Sequence, residues 1–205
     1  MVLVMASTTP LQLRIILGST RAGRAIDGIT PWLLDRATKH AAFHPEILDL
    51  RDFPMPMFGE GEWPTPAVTE WNAATRTADA FIIVTPEYNH SVPGVLKNAI
   101  DATHGGFRNK VAGFVGYSAG PIAGARAVEH LAHMAIEAEM VPLRNTVLLG
   151  SVSRAIVDGE PTNPMSDFAL QVMLDDIAWW AAPLRAARQA GELPPGMARR
   201  QTAAA

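Results

Sequence analysis

Cysteine is absent from the 205 residues, which excludes disulfides, thiol nucleophiles and any cysteine-held zinc or iron–sulfur centre. Charge is sparse and nearly balanced, with 17 Lys and Arg against 20 Asp and Glu and a formal net charge of −3. So mild a charge makes neither nucleic acid nor a membrane surface an expected partner. No apolar run reaches the roughly 20 residues that cross a bilayer. The short apolar opening Met1–Met5 has no basic flank and is not expected to be a signal peptide. No Gly-x-Ser-x-Gly elbow is expected at Ser19 or Ser118, so a serine hydrolase is not expected, and the scattered histidines, His130 and His133 included, show no carboxylate partner at metal-ligand spacing. What remains is a chain 48% apolar and long enough for one well-buried domain, expected in the cytoplasm.

The stretch from Leu13 to Arg24 organises the rest. Leu13–Leu17 is a short, largely apolar run that reads as a buried parallel strand. Gly18 breaks it into a polar turn, and a helix carrying Trp32, Leu33 and Leu34 follows. Such a strand–turn–helix aims backbone N–H groups and a positive helix end at one spot. Ser19 and Thr20 add hydroxyls, and Arg21 and Arg24 add guanidinium forks suited to phosphate oxygens. Gly18 and Gly23 have Walker A spacing, but Arg24 and Ala25 stand where lysine and the magnesium-binding hydroxyl belong. A terminal monophosphate therefore suits the loop better than a triphosphate. An ordinary turn whose arginines face water fits this loop alone equally well.

Further along, Glu46–Leu50, Ala80–Val84, Lys110–Tyr117 and Thr146–Leu149 read as strands. Helices are expected from Val68 to Ala78, Val95 to Thr103, Gly124 to about Ala138, and Met165 to about Gln189. Pro31 either sits in the first turn of its helix or kinks it, and Pro183 either kinks the last helix or ends it. The proline-rich loop 51–66 carries Phe53, Met55, Met57, Phe58 and Trp63, so it covers either a pocket or a subunit contact. Trp179 and Trp180 read as core or subunit contact. Five strands alternating with helices give an α/β fold, a doubly wound five-stranded parallel sheet with helices on both faces. Residues 11–190 are expected to form this single domain, 1–10 a flexible N-terminus and 191–205 a loose tail.

Two more loops share the carboxyl edge of that sheet. In Pro86-Glu87-Tyr88-Asn89 the proline stiffens the turn, which can hold N–H groups and an amide along a flat heterocycle; alternatively, Glu87 and Asn89 cap the next helix. In Tyr117-Ser118-Ala119-Gly120, Gly120 and Gly124 allow close backbone approach, and Ser118 alone could be a helix cap.

The order Gly18-Ser-Thr-Arg21-x-x-Arg24, then Thr85-Pro-Glu-Tyr-Asn89 with Pro93-Gly94 and Leu96-Lys-Asn-Ala-Ile-Asp101, then Tyr117-Ser-x-Gly120, resembles the NADPH-dependent FMN reductase family. That family includes quinone, azo-dye and chromate reductases of flavodoxin-like fold. The resemblance implies Ser19, Arg21 and Arg24 on the FMN phosphate, and Pro86, Glu87, Tyr88, Asn89, Ser118 and Gly120 beside the isoalloxazine. It implies hydride transfer from NADPH or NADH to FMN, then on to a small acceptor, and a homodimer or homotetramer. The cofactor performs the bond changes, so no side chain is assigned as general acid or base. A flavodoxin-type electron carrier is the alternative; such carriers tend to be strongly acidic, unlike this chain.

Overall fold

The runs Leu11–Leu17 (β1), Ala80–Pro86 (β3) and Val111–Tyr117 (β4) are buried almost throughout, as strands covered on both faces must be. Residues 9–191, 193–194 and 196–203 are described here by a computed structural model. Phe43–Asp49 (β2) pairs with the outer side of β1 and alternates buried with exposed positions, as an edge strand does. With Val141–Pro142 as β5, the order is β2-β1-β3-β4-β5, all parallel. This is the flavodoxin-like arrangement, and its order reverses between β1 and β3, where ligands settle in such sheets.

Side-chain alternation splits the core in two. Ile15, Leu17, Ile82 and Val84 face helices α1 (Ile26–Lys39) and α5 (Pro164–Ala190). Ile16, Phe81, Ile83 and Phe114 face α2 (Pro66–Arg76), α3 (Gly94–Asp101) and α4 (Ala125–Glu137). Asp167 stitches α5 to α1, accepting from Trp32 Nε1 at 2.9 Å and Arg36 Nε at 2.8 Å.

The fifth strand departs from the expected Thr146–Leu149. Two fragments, Val141–Pro142 (β5) and Val147–Leu149 (β6), pair with β4 in succession, and the register gains two residues between Ala112↔Pro142 and Val115↔Val147. Pro142 has no N–H to donate, which confines it to such an edge. A small hairpin, Ile156–Val157 (β7) with Glu160–Pro161 (β8), was not foreseen.

Neither proline ends its helix. α1 starts at Ile26, ahead of Pro31, so Pro31 lies inside rather than in the first turn. α5 runs through Pro183 to Ala190. An interior proline costs about 3 kcal/mol, but burial of Leu170, Met173, Leu174 and Ile177 contributes roughly 1.5–3 kcal/mol for each side chain and outweighs it. The stretch expected as a loose tail carries a short helix, α6 (Gly196–Ala203), rich in Ala, Arg and Gln, which favour helix. Of the expected flexible start, residues 1–8 lie outside the described residues. Among the described residues no helix is long and apolar enough to cross a membrane.

Candidate active site

The β1–α1 loop bends so sharply that its first residue has to be glycine. Gly18 donates to Val84 O at 2.9 Å, and a Cβ there would stand 2.7 Å from that oxygen and 2.8 Å from Leu96 Cδ2. Ser19 is buried, and its hydroxyl lies 3.2 Å from Tyr88 Oη on the neighbouring loop.

Arg24 departs from its expected role. Its guanidinium is buried and already engaged, Nε to Asp27 Oδ1 at 2.8 Å, Nη1 to Asp49 Oδ1 at 2.7 Å and to Ser19 O, and Nη2 to Asp49 Oδ2. The hydrogen bonding to the Asp49 carboxylate leads the causes that hold Arg24 charged beyond its ordinary range. Arg24 is thus a brace that folds the loop onto the end of β2, with little left to offer a phosphate. Arg21 is the exposed guanidinium, with no partner for its side chain among the described residues; its carbonyl accepts from Arg51 Nη2 at 2.6 Å. From the sequence the two arginines look alike. Only β2, arriving with Asp49, separates their roles.

Asp49 carries a pH consequence. Burial alone would raise its carboxyl, but the Arg24 hydrogen bonds, the Arg51 amide at 3.0 Å and both guanidinium charges outweigh that and leave it below the ordinary value. A folded value below the unfolded one stabilises fully above about pH 4, and that contribution is lost as pH falls through the depressed value. In urea titrations between pH 3 and 6, Asp49→Asn is therefore expected to flatten the acid loss of stability seen in the parent protein.

The β3–α3 loop turns at Tyr88–Ser91, whose backbones exchange hydrogen bonds of 2.9 and 3.0 Å. Asn89 and His90 occupy its tip at φ 49° and 68°, a backbone region that asparagine tolerates better than most residues. Asn89 is accordingly exposed at the tip. Glu87 points away from α3 and caps α4 instead. Its carboxylate, only 5% exposed, accepts from Arg126 Nε at 2.6 Å and from the Arg126 amide at 3.2 Å in the first turn of that helix. Arg126 continues to His90 Nε2 at 2.9 Å, so the second and third loops are locked together.

The β4–α4 loop is tightest at Gly124, φ 85°, where a Cβ would stand 2.5 Å from Tyr117 N. Gly116-Tyr117-Ser118-Ala119-Gly120 does match the hydrolase pattern Gly-x-Ser-x-Gly, against the expectation for Ser118. The Ser118 hydroxyl nevertheless donates to Gly120 O at 3.0 Å, and among the described residues no histidine is hydrogen-bonded to it as a triad requires. Gly120 is exposed, with open space around it.

These loops enclose one cleft of about 330 Å³. Arg21, Gly23, Arg24 and Ala25 line it from the first loop, Pro86, Glu87 and Tyr88 from the second, and Tyr117, Ser118 and Ala119 from the third. Of the nine residues singled out from sequence, six line the cleft. Ser19 stands behind it through Tyr88, while Asn89 and Gly120 do not line it. Sequence reasoning missed Tyr117 as a site residue and Val152 altogether; Val152 arrives on the turn after β6 and hydrogen-bonds to Ser118 O at 3.1 Å.

Glu87, the carboxylate in the cleft lining, is offset by Arg126, and Asp49, which holds the lining Arg24, is offset by that guanidinium, so an anion meets little repulsion there. Arg21 remains to attract it. The first N–H groups of α1 have no side-chain cap, since its N-cap is Ala25. Tyr117 Oη is buried beside the Ser19 hydroxyl and makes no hydrogen bond of normal geometry among the described residues; burial, working against the pull of Ser19, pushes that phenol well above its ordinary pKa and keeps it a donor. The donor set fits a flat ligand with a phosphate tail.

Fold and cleft together define a flavodoxin-like protein built to hold a phosphorylated planar ligand at the carboxyl edge of its sheet. The chain belongs to the NADPH-dependent FMN reductase family, whose sequence profile matches residues 11–153. It is 30% identical to an NAD(P)H-dependent FMN reductase of Schizosaccharomyces pombe over 59% of this chain and 64% of that protein, so the match leaves about a third of that relative uncovered. It is 32% identical to a quinone reductase of Escherichia coli K12, over 72% of this chain and 81% of that one. The solved structure of the flavoenzyme NAD(P)H:(acceptor) oxidoreductase FerB from Paracoccus denitrificans superposes with a TM-score of 0.71 at 24% identity. That superposition covers 83% of this chain and 97% of that one and supports the shared fold.

Proposed function

We propose that this protein is an FMN-dependent NAD(P)H oxidoreductase that delivers electrons to a small acceptor such as free flavin, a quinone, an azo compound or a metal oxyanion. The observation that carries the reading is the convergence of three βα loops on one cleft whose lining carboxylate, Glu87, is neutralised by Arg126 and whose exposed guanidinium, Arg21, has no side-chain partner among the described residues. FMN, when bound, supplies the hydride uptake from nicotinamide and the electron release to the acceptor. The chain's own residues bind and orient. Arg21 and the hydroxyls of the first loop would hold the phosphate; Pro86, Tyr88 and Ser118 would border the ring system. The Glu87–Arg126 pair holds the two ring-side loops at a constant separation, and that preorganisation aligns the two reactants.

Anaerobic absorbance spectroscopy tests this directly. Purified protein loaded with FMN should be yellow and bleach on adding NADPH or NADH. Binding without bleaching would make it a flavodoxin-type carrier, and no binding would end the flavin reading. Arg21→Ala is expected to weaken FMN roughly 10- to 100-fold in fluorescence titrations, the magnitude of a hydrogen bond to a charged group, and to leave riboflavin affinity unchanged.

The same proposal includes a cytoplasmic homodimer or homotetramer. Met165, Phe168 and Trp179 on α5 are each more than 60% exposed, and Met57 and Phe58 on the loop after β2 more than half. Apolar surface of this extent supports a covered interface. Light scattering coupled to size exclusion would give the assembly mass.

A further inference from the structure

Among the described residues, Tyr117 carries the one buried side-chain hydroxyl in the cleft without a hydrogen bond of normal geometry. It ends β4, is 4% exposed, and belongs to the apolar core between the sheet and α1 and α5. It pairs in register with Pro86 at the end of β3, and its hydroxyl lies near Ser19 of the first loop and Tyr88 of the second. Phenylalanine would fill this apolar position without the cost of an orphaned hydroxyl, so packing does not explain the oxygen.

The surroundings narrow down what the hydroxyl is for. Ser19 and Tyr88 are paired with each other at 3.2 Å. Arg24 is committed to Asp27, Asp49 and the Ser19 carbonyl. None of these groups meets the Tyr117 hydroxyl at hydrogen-bond geometry among the described residues, so an acceptor on a ligand, seated beside the loop that carries Arg21, would satisfy it. Resting on the flavin reading above, we infer that Tyr117 is a cofactor-binding residue that donates a hydrogen bond to the phosphate of FMN, taking the place that the sequence pattern suggests for Arg24. The phosphate is then held by one exposed guanidinium and by hydroxyls, with Arg24 acting only as the brace beneath them.

Tyr117→Phe removes the oxygen and preserves the ring. FMN and riboflavin dissociation constants are measured by fluorescence quenching for both proteins, with apoprotein melting temperatures alongside. The inference expects FMN to weaken roughly tenfold or more, riboflavin to be unaffected, and the apoprotein to melt no lower than the parent. Equal weakening of both flavins would put the hydroxyl on the ribityl chain or the ring and overturn the assignment, as would unchanged FMN affinity or an apoprotein that melts lower. Parent protein that binds FMN while Tyr117→Phe binds it equally well sinks only this inference. Parent protein that binds neither flavin sinks the flavin reading, and the inference with it.

Discussion

Arg24→Ala is expected to lower the melting temperature of the apoprotein by roughly 10 °C. The side chain is 3% exposed and Asp49 beside it 18%, so removing the cation strands a buried carboxylate and frees the Ser19 carbonyl. Breaking such a pair from one side costs about 3–5 kcal/mol, and 1 kcal/mol moves a domain of this length by about 2–4 °C. Arg24→Lys should recover little, because an ammonium cannot fork onto both Asp49 oxygens while also reaching Asp27. The experiment separates brace from anchor. If Arg24 were chiefly a phosphate ligand, the apoprotein would melt normally and only FMN binding would suffer. Differential scanning calorimetry with and without FMN distinguishes the two outcomes.

Gly124→Ala should be nearly as damaging. At φ 85° an L-residue pays about 1–2 kcal/mol in backbone strain. Its Cβ would also press to within 2.5 Å of Tyr117 N and 2.8 Å of Gly116 C. Those are backbone atoms of a central strand and cannot swing aside, so overpacking adds about 1–3 kcal/mol. The sum is about 3 kcal/mol, with Tyr117 and Ser118 displaced from the cleft as the loop gives way. Gly120→Ala, four residues earlier in open space and without a positive φ, is the matched control and should melt within a degree or two of the parent. Equal melting of the two variants would refute this account of the loop.

The cleft was readable in the sequence to the extent that its loops are local. Gly18, Pro86 and Ser118 each follow an apolar strand of five to eight residues, and period and punctuation sufficed to put them on one edge. Side-chain roles within the loops were less accessible. Glu87 looks like a cap for the helix that follows it; it caps α4, 39 residues on, because β3 and β4 are neighbours in the sheet. The aromatic loop after β2 divides: Phe53 and Met55 pack inward, and Asn98 holds the loop down by accepting from Phe58 N at 2.7 Å and donating to Pro56 O at 2.9 Å.

By itself the sequence determined the alternation of strand and helix, the doubly wound sheet and the three loops at its carboxyl edge. All of these depend on periodicity and turn chemistry within a dozen residues. Only the tertiary structure decided which arginine is available to a ligand, which carboxylates are neutralised and which hydroxyl is left without a partner. Those depend on what a distant strand delivers to the same spot: Asp49 from β2 engages Arg24, Arg126 from α4 engages Glu87, and Tyr117 arrives from β4 with its hydroxyl unclaimed.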